Sequence, residues 1–204
     1  MITAEHGFDA VKHPAIDMGA RLRAAGLAGA FVSVADGGVA HVYAREPSAP
    51  GTPAALAKAR RVARATEGVA EALYLAPNPL DGGDVALLAR VHPDWHIAHE
   101  RSGDLLVVAA PGYVLAEAGR DEARLLGNHG APAERDVPIV VVGEGRRSSA
   151  GCTRPRAADL GATLFHCLGL RAAARLDGTP VAAAARGYAI ADLCAPRTVQ
   201  GAGP

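Results

Sequence analysis

The run Val137-Pro138-Ile139-Val140-Val141-Val142-Gly143 limits the possible folds more than any other stretch of this chain. β-Branched residues favour extended backbone, and the flanking proline and glycine mark where a strand starts and stops. A continuous Val/Ile run has no polar face, so it predicts a strand in the middle of a sheet covered on both sides. Strands of that kind belong to α/β proteins, whose helices cover the sheet. Three longer helices are predicted. Ile16–Ala25 has apolar residues at helical spacing and stops at Gly26, and Ala54–Thr66 is rich in Ala, Leu and Arg. Ala157–Leu168 is amphipathic, ends at Gly169 and carries Asp159 in its first turn, where the helix dipole favours a carboxylate.

A segment of different rhythm lies between the first helix and the Val/Ile run. Ala30–Ala35 and Val39–Ala44 predict two strands joined by Asp36-Gly37-Gly38, a hairpin turn because glycine supplies positive φ. The Pro/Ser/Gly stretch Glu46–Pro53 leads into the Ala54–Thr66 helix. A strand at Val69–Leu75, a short helix at Asp84–Val91 and a strand at Asp104–Ala110, closed by Pro111-Gly112, follow. Ile2–Ala4 is expected to be the end of a buried strand, and Leu176-Asp177-Gly178-Thr179-Pro180 a turn. These elements divide the chain into an α/β core, residues 1–27 and 117–204, interrupted by an inserted α+β cap subdomain, 28–116.

Several function classes fall away on composition. Lys plus Arg and Asp plus Glu both number 21, so no net field attracts nucleic acid or an anionic membrane. Aromatics make up 4%, too few to build stacking platforms for single-stranded nucleic acid. No apolar run reaches the roughly 20 residues that span a bilayer. No signal peptide is visible either, which makes the cytoplasm the default expectation. Cys152, Cys167 and Cys194 are odd in number and far apart, and are expected to be reduced thiols rather than a disulfide framework or zinc ribbon.

Chemistry concentrates in two short motifs, Glu5-His6-Gly7 and Gly127-Asn128-His129-Gly130. Each places a histidine at the edge of an apolar, strand-like run. Where the chain leaves a strand, an adjacent carboxylate and imidazole can both point at one hard or borderline divalent ion. Inside a strand they would face opposite ways, so the turn into Gly7 is required. Either motif alone also describes an ordinary tight turn.

The order of the motifs is more specific than any one of them. Thr3-Ala4-Glu5-His6-Gly7, then Gly127–Gly130, Gly143-Glu144-Gly145, Asp159 with Thr163, Leu168-Gly169-Leu170 and Asp177-Gly178-Thr179-Pro180 follow one another across nearly the whole chain. This series resembles the C-terminal portion of the alkaline phosphatase superfamily, in its type I phosphodiesterase/nucleotide pyrophosphatase-like branch. The resemblance implies part of an alkaline-phosphatase-like three-layer core, and a two-metal site, with zinc the expected ion. Carried over residue by residue, Glu5 and His6 would hold one metal and His129 its neighbour. The implied reaction is phosphoryl transfer from a small phosphoester or nucleotide.

Two departures stand out. The family has Asp where this chain has Glu5, and an extra methylene moves the carboxylate by about 1.5 Å from ordinary bond lengths. The family's Thr or Ser nucleophile and three further ligands precede the Asp-His element. The expectation is therefore a C-terminal part of a hydrolase, inactive alone, that pairs with a separate N-terminal half or forms a homodimer. A non-catalytic metal- or phosphate-binding module and a phosphoglycerate-mutase-type relative are the competing readings.

Other candidates carry less. His92, His96 and His99 are expected in an exposed loop, His13 at the rim of the site, and His166 packed within its helix. Ser148-Ser149 lacks a neighbouring base. Gly143-Glu144-Gly145 lacks the third glycine of a dinucleotide fingerprint.

Overall fold

The structure, a computed structural model, describes residues 2–117, 127–140, 157–168, 175–176 and 179–180. In chain order its elements are β1 (Ile2–Thr3), β2 (Asp9–Ala10), α1 (Met18–Ala24), β3 (Phe31–Asp36), β4 (Val39–Ala44), α2 (Thr52–Arg64), β5 (Val69–Tyr74), α3 (Leu88–Val91) and β6 (Leu105–Ala109). They continue with β7 (Gly127–Asn128), a 3-10 turn at Pro132–Arg135, β8 (Ile139–Val140), α4 (Ala157–Cys167), β9 (Arg175–Leu176) and β10 (Thr179–Pro180). This is a mixed α/β chain. Its contacts divide it into two units, one of Ala4–Pro138 and one of Met1–Thr3 with Ile139–Pro204.

The larger unit is built on an antiparallel sheet of order β3-β4-β6-β5. The hairpin forms where the glycines predict it, with Asp36 opposite Val39 and Gly37 at φ 69°. Edge strand β3 alternates, burying Phe31 and exposing Val32 and Val34. All five residues of β6 are buried, because both faces of this central strand are covered. On one face Leu105 and Val107 pack with Met18 and Leu22 of α1 and Leu56, Ala59 and Ala63 of α2. On the other, Leu106 and Val108 meet Leu73 and Leu88, with Trp95 and Ile97 closing over them.

Local chemistry explains the helix ends. Asp17 Oδ1 accepts the Ala20 N–H at 2.7 Å and caps α1, which ends at Gly26 in the left-handed conformation. Pro53 stands in the first turn of α2, where its missing N–H is no loss. On this helix Arg60 donates to Asp81 at 2.8 Å, and the buried Tyr74 hydroxyl donates to the same carboxylate at 2.6 Å. The loop after β5 is thereby tied to the helix and the sheet.

In the smaller unit β1 pairs antiparallel with β8, and β9 with β10. Asp177 and Gly178, the centre of the expected turn, lie outside the described residues. In α4, Thr163 is fully buried and its hydroxyl donates to the Asp159 carbonyl at 2.6 Å, one helical turn back.

Three expectations need correction. Of the Val137–Val142 run, the described strand is Ile139–Val140, paired antiparallel, and Val140 is 47% exposed. Among the described residues the strand covered on both faces is β6. Ile2–Ala4 is not a buried strand end, since Ile2 and Thr3 are exposed in a two-residue ladder. The helix expected at 84–91 is confined to Leu88–Val91, because the chain turns over Asp84–Ala86, where the Leu87 N–H donates to the Asp84 carbonyl at 3.0 Å and the Ala86 carbonyl accepts the Tyr74 N–H at 2.8 Å. The Ser148-Ser149 and Gly143-Glu144-Gly145 stretches, Cys152 and Cys194, and the side chains of His166 and Cys167 lie outside the described residues.

Candidate functional site

The two histidine motifs meet through a short ladder. β2 pairs antiparallel with β7, Asp9 opposite Asn128 and Ala10 opposite Gly127, which carries residues 5–8 alongside residues 127–130. Each motif is pinned by its glycine. The Gly7 N–H donates to the Glu134 carbonyl at 2.7 Å, and a Cβ on Gly7 would stand 3.1 Å from Glu134 Cα. A Cβ on Gly127 would stand 2.2 Å from the Phe8 ring.

The hairpin tip between β3 and β4 supports the second motif from below. Gly38 N–H donates to the His129 carbonyl at 3.0 Å, and a Cβ on Gly38 would fall 2.0 Å from Ala131 N. At Gly37 a Cβ would lie 2.4 Å from Asn128 Oδ1. Asp36-Gly37-Gly38 is therefore more than a turn. Its bare backbone is the platform on which Asn128, His129 and Gly130 rest.

These contacts bring together all three side chains singled out as metal ligands. The His6 and His129 rings stack with centroids 3.9 Å apart and planes 13° from parallel. His6 Nδ1 lies 2.7 Å from its neighbour's carbonyl, Gly7 O. A carbonyl can only accept, so Nδ1 carries the hydrogen, and in the neutral ring Nε2 keeps its lone pair. Nε2 stands 3.1 Å from Glu5 Oε1.

This donor chemistry suits a divalent metal. An imidazole that donates its other N–H to a backbone carbonyl is the usual arrangement of a metal-ligating histidine. An imidazole nitrogen beside a carboxylate oxygen is a borderline-to-hard pair of the kind zinc accepts. Lone pairs lie in the ring planes, so two stacked imidazoles cannot aim at one point. They suit neighbouring ions instead. Among the described residues no group of three or more His, Cys, Asp or Glu side chains closes around one position.

The other histidines stand elsewhere. His13 stacks on Tyr113 at 3.9 Å. His92 stacks on Trp95 and pairs with Glu71 at 2.8 Å, while His96 and His99 are exposed. Sequence reasoning passed over Phe8, which is 69% exposed with its ring 6.1 Å from that of His129. Its signal was available, an aromatic directly after Glu-His-Gly. Glu134 was also missed. Its turn is held from the other side by Arg135, which donates to Asp94 at 3.0 Å and keeps that carboxyl below the usual carboxylate range.

Residues 1–132 match the model of the type I phosphodiesterase / nucleotide pyrophosphatase family, and the chain belongs to that family. Glu5, His6 and His129 all fall inside the matched span, whereas Asp159 and Thr163 fall beyond it. The structure is similar to phosphonoacetate hydrolase from Sinorhizobium meliloti 1021 in complex with phosphonoacetate, at 17% identity and a TM-score of 0.46. The same hydrolase in complex with phosphonoformate gives 18% and 0.47. Each similarity covers 67% of this chain and 34% of that one, so the chain spans about a third of those structures. No curated protein matches the chain by sequence.

Proposed function

We propose that this chain carries the C-terminal ligand set of a metal-dependent phosphoric ester hydrolase, with Glu5 and His6 on one divalent ion and His129 on its neighbour. The observation that carries the reading is the fixed His6 ring, whose Nδ1 is committed to the Gly7 carbonyl while Nε2 faces Glu5 Oε1 and the ring stacks on His129. Bound zinc ions would supply an electrostatic clamp on the attacking and leaving oxygens of an in-line transfer.

This chain's residues contribute position. Gly7 and the Asn128–Gly130 turn hold the two imidazoles at a fixed spacing, and Phe8 offers an apolar surface to the organic part of a small phosphoester or nucleotide. Three ligands cannot fill two four-coordinate sites. The nucleophile and the remaining ligands must be residues other than these three.

A thermal-shift titration of the 204-residue chain with ZnCl2 and MnCl2 tests the metal claim. Zn²⁺ should raise Tm, by the linkage between binding and folding. The rise should shrink in His6→Ala and disappear in His6→Ala/His129→Ala. No shift with either metal, or an undiminished shift in the double variant, would remove Glu5, His6 and His129 from any metal role.

A further inference from the structure

Phe8 follows the Glu5-His6 pair with only Gly7 between, and it is 69% exposed. Other rings of this unit spend a face inside the protein. Tyr113 stacks on His13 with centroids 3.9 Å apart, Trp95 on His92 at 3.8 Å, and His6 on His129 at 3.9 Å. The Phe8 ring is instead tilted by 35° from that of His129 at 6.1 Å, and among the described residues no ring stacks on it.

This exposed ring is nevertheless held in place. On one side of Phe8 the Gly7 N–H is fixed on the Glu134 carbonyl at 2.7 Å, and on the other Asp9 is paired opposite Asn128. The ring also rests against Gly127, where a Cβ would meet Phe8 Cε1 at 2.2 Å and Cδ1 at 2.8 Å. Those two atoms form one edge of the ring, and the rest stays open. Phe8 stands outside the cavity of about 220 Å³ that Asp9, Asn128 and Glu134 help to line, so a ligand reaches its ring directly from solvent.

We propose, building on the metal reading above, that Phe8 is a specificity-determining residue of the same site. Its ring stacks on an aryl group joined to phosphorus directly or through the ester oxygen. A water-exposed ring gains when a second flat apolar surface covers it, and an offset aromatic pair gains more than area alone supplies. A saturated ring of the same size covers similar area without a π face. The short spacing between Phe8 and His129 favours an aromatic group close to phosphorus. A nucleobase stands a whole sugar further from its phosphate.

Isothermal titration of the full 204-residue chain in ZnCl2, with phenylphosphonate and cyclohexylphosphonate as probes, tests this by binding and not by turnover. Phenylphosphonate should bind about threefold to tenfold tighter, the factor an aromatic pair supplies. Phe8→Leu should erase that preference and Phe8→Tyr should keep it. The Phe8 ring protons should shift by NMR with phenylphosphonate, and EDTA should weaken both probes alike. Equal affinity of the two probes, a preference that survives in Phe8→Leu, or no effect of EDTA would overturn the proposal. So would a larger Phe8-dependent gain of adenosine monophosphate over ribose 5-phosphate, because it would move the aromatic group away from phosphorus. The Zn²⁺-dependent rise in Tm separates the two readings. Without that rise both fall, and with it any of these outcomes removes the role of Phe8 alone. Should Phe8→Leu not fold, the two-probe comparison and the ring-proton shifts of the unaltered chain decide the question.

Discussion

His41, on β4, shows how one side chain ties this fold to pH. Burial lowers its pKa from the ordinary 6.5, and its Nδ1 accepts the Gly103 N–H at 3.2 Å, which only an unprotonated nitrogen can do. The unfolded chain thus takes up a proton near pH 6.5 that the folded chain refuses. The stability this group contributes is full above that pH and is lost as pH falls through the lower folded value. Urea unfolding midpoints should decline from pH 7 to pH 5, and His41→Gln should flatten that decline. Gly38 governs the site more directly. A Cβ there meets Ala131 backbone, so Gly38→Ala should cost about 1–3 kcal/mol through overpacking. It should also release His129, seen as changed His129 ring shifts by NMR; an unperturbed ring would refute the platform role. The sequence marked Glu5, His6 and His129 as special by residue type and neighbours. It gave no sign of Glu134, because nothing about a Glu in Pro-Ala-Glu-Arg says whether its carboxylate will be buried.

At the scale of elements, the loop after β5 depends on one carboxylate shared by α2 and the sheet. Hydrogen bonds from Tyr74 and then Arg60 hold Asp81 below the usual carboxylate range, while burial first and Asp81 second push the Tyr74 hydroxyl up. Asp81→Asn should cost about 1–3 kcal/mol, the usual loss when buried donors lose a charged acceptor. Chemical denaturation reads that loss, and a change below 0.5 kcal/mol would show the network to be incidental. The Asp81 contribution is present above pH 3.8 and disappears only below it, where its depressed folded pKa lies. Elements with a strong local signal were legible here. The glycine hairpin, the Ala-rich α2 and the apolar β6 each stand close to where residue pattern places them, because turn chemistry and periodicity act over a few residues. The run at 137–142 misled. A continuous apolar stretch reports that burial is affordable, not that neighbouring strands will supply it, and the described pair Ile139–Val140 is half open to solvent.

For the whole molecule, the consequence is catalytic. On the proposed reading, two four-coordinate ions would need more ligands than Glu5, His6 and His129 provide, and an ester hydrolase needs a nucleophile beside them. The 204-residue chain alone, with Zn²⁺ or Mn²⁺, should show no turnover of p-nitrophenyl phosphate or bis(p-nitrophenyl) phosphate above the metal blank. Turnover abolished by His129→Ala would prove this expectation wrong and place a nucleophile within the chain.

The sequence by itself determined the family resemblance, the hairpin, the helices and the identity of the three candidate ligands, since each rests on residue type or short spacing. Only the tertiary structure decided that the Asp36-Gly37-Gly38 tip would carry the second histidine motif. It alone set the stacking of His6 on His129 and left Glu134 buried beside a cavity. Those outcomes join residues more than a hundred positions apart, as His6 and His129 are. They follow from backbone approach and ladder register, which no local pattern encodes.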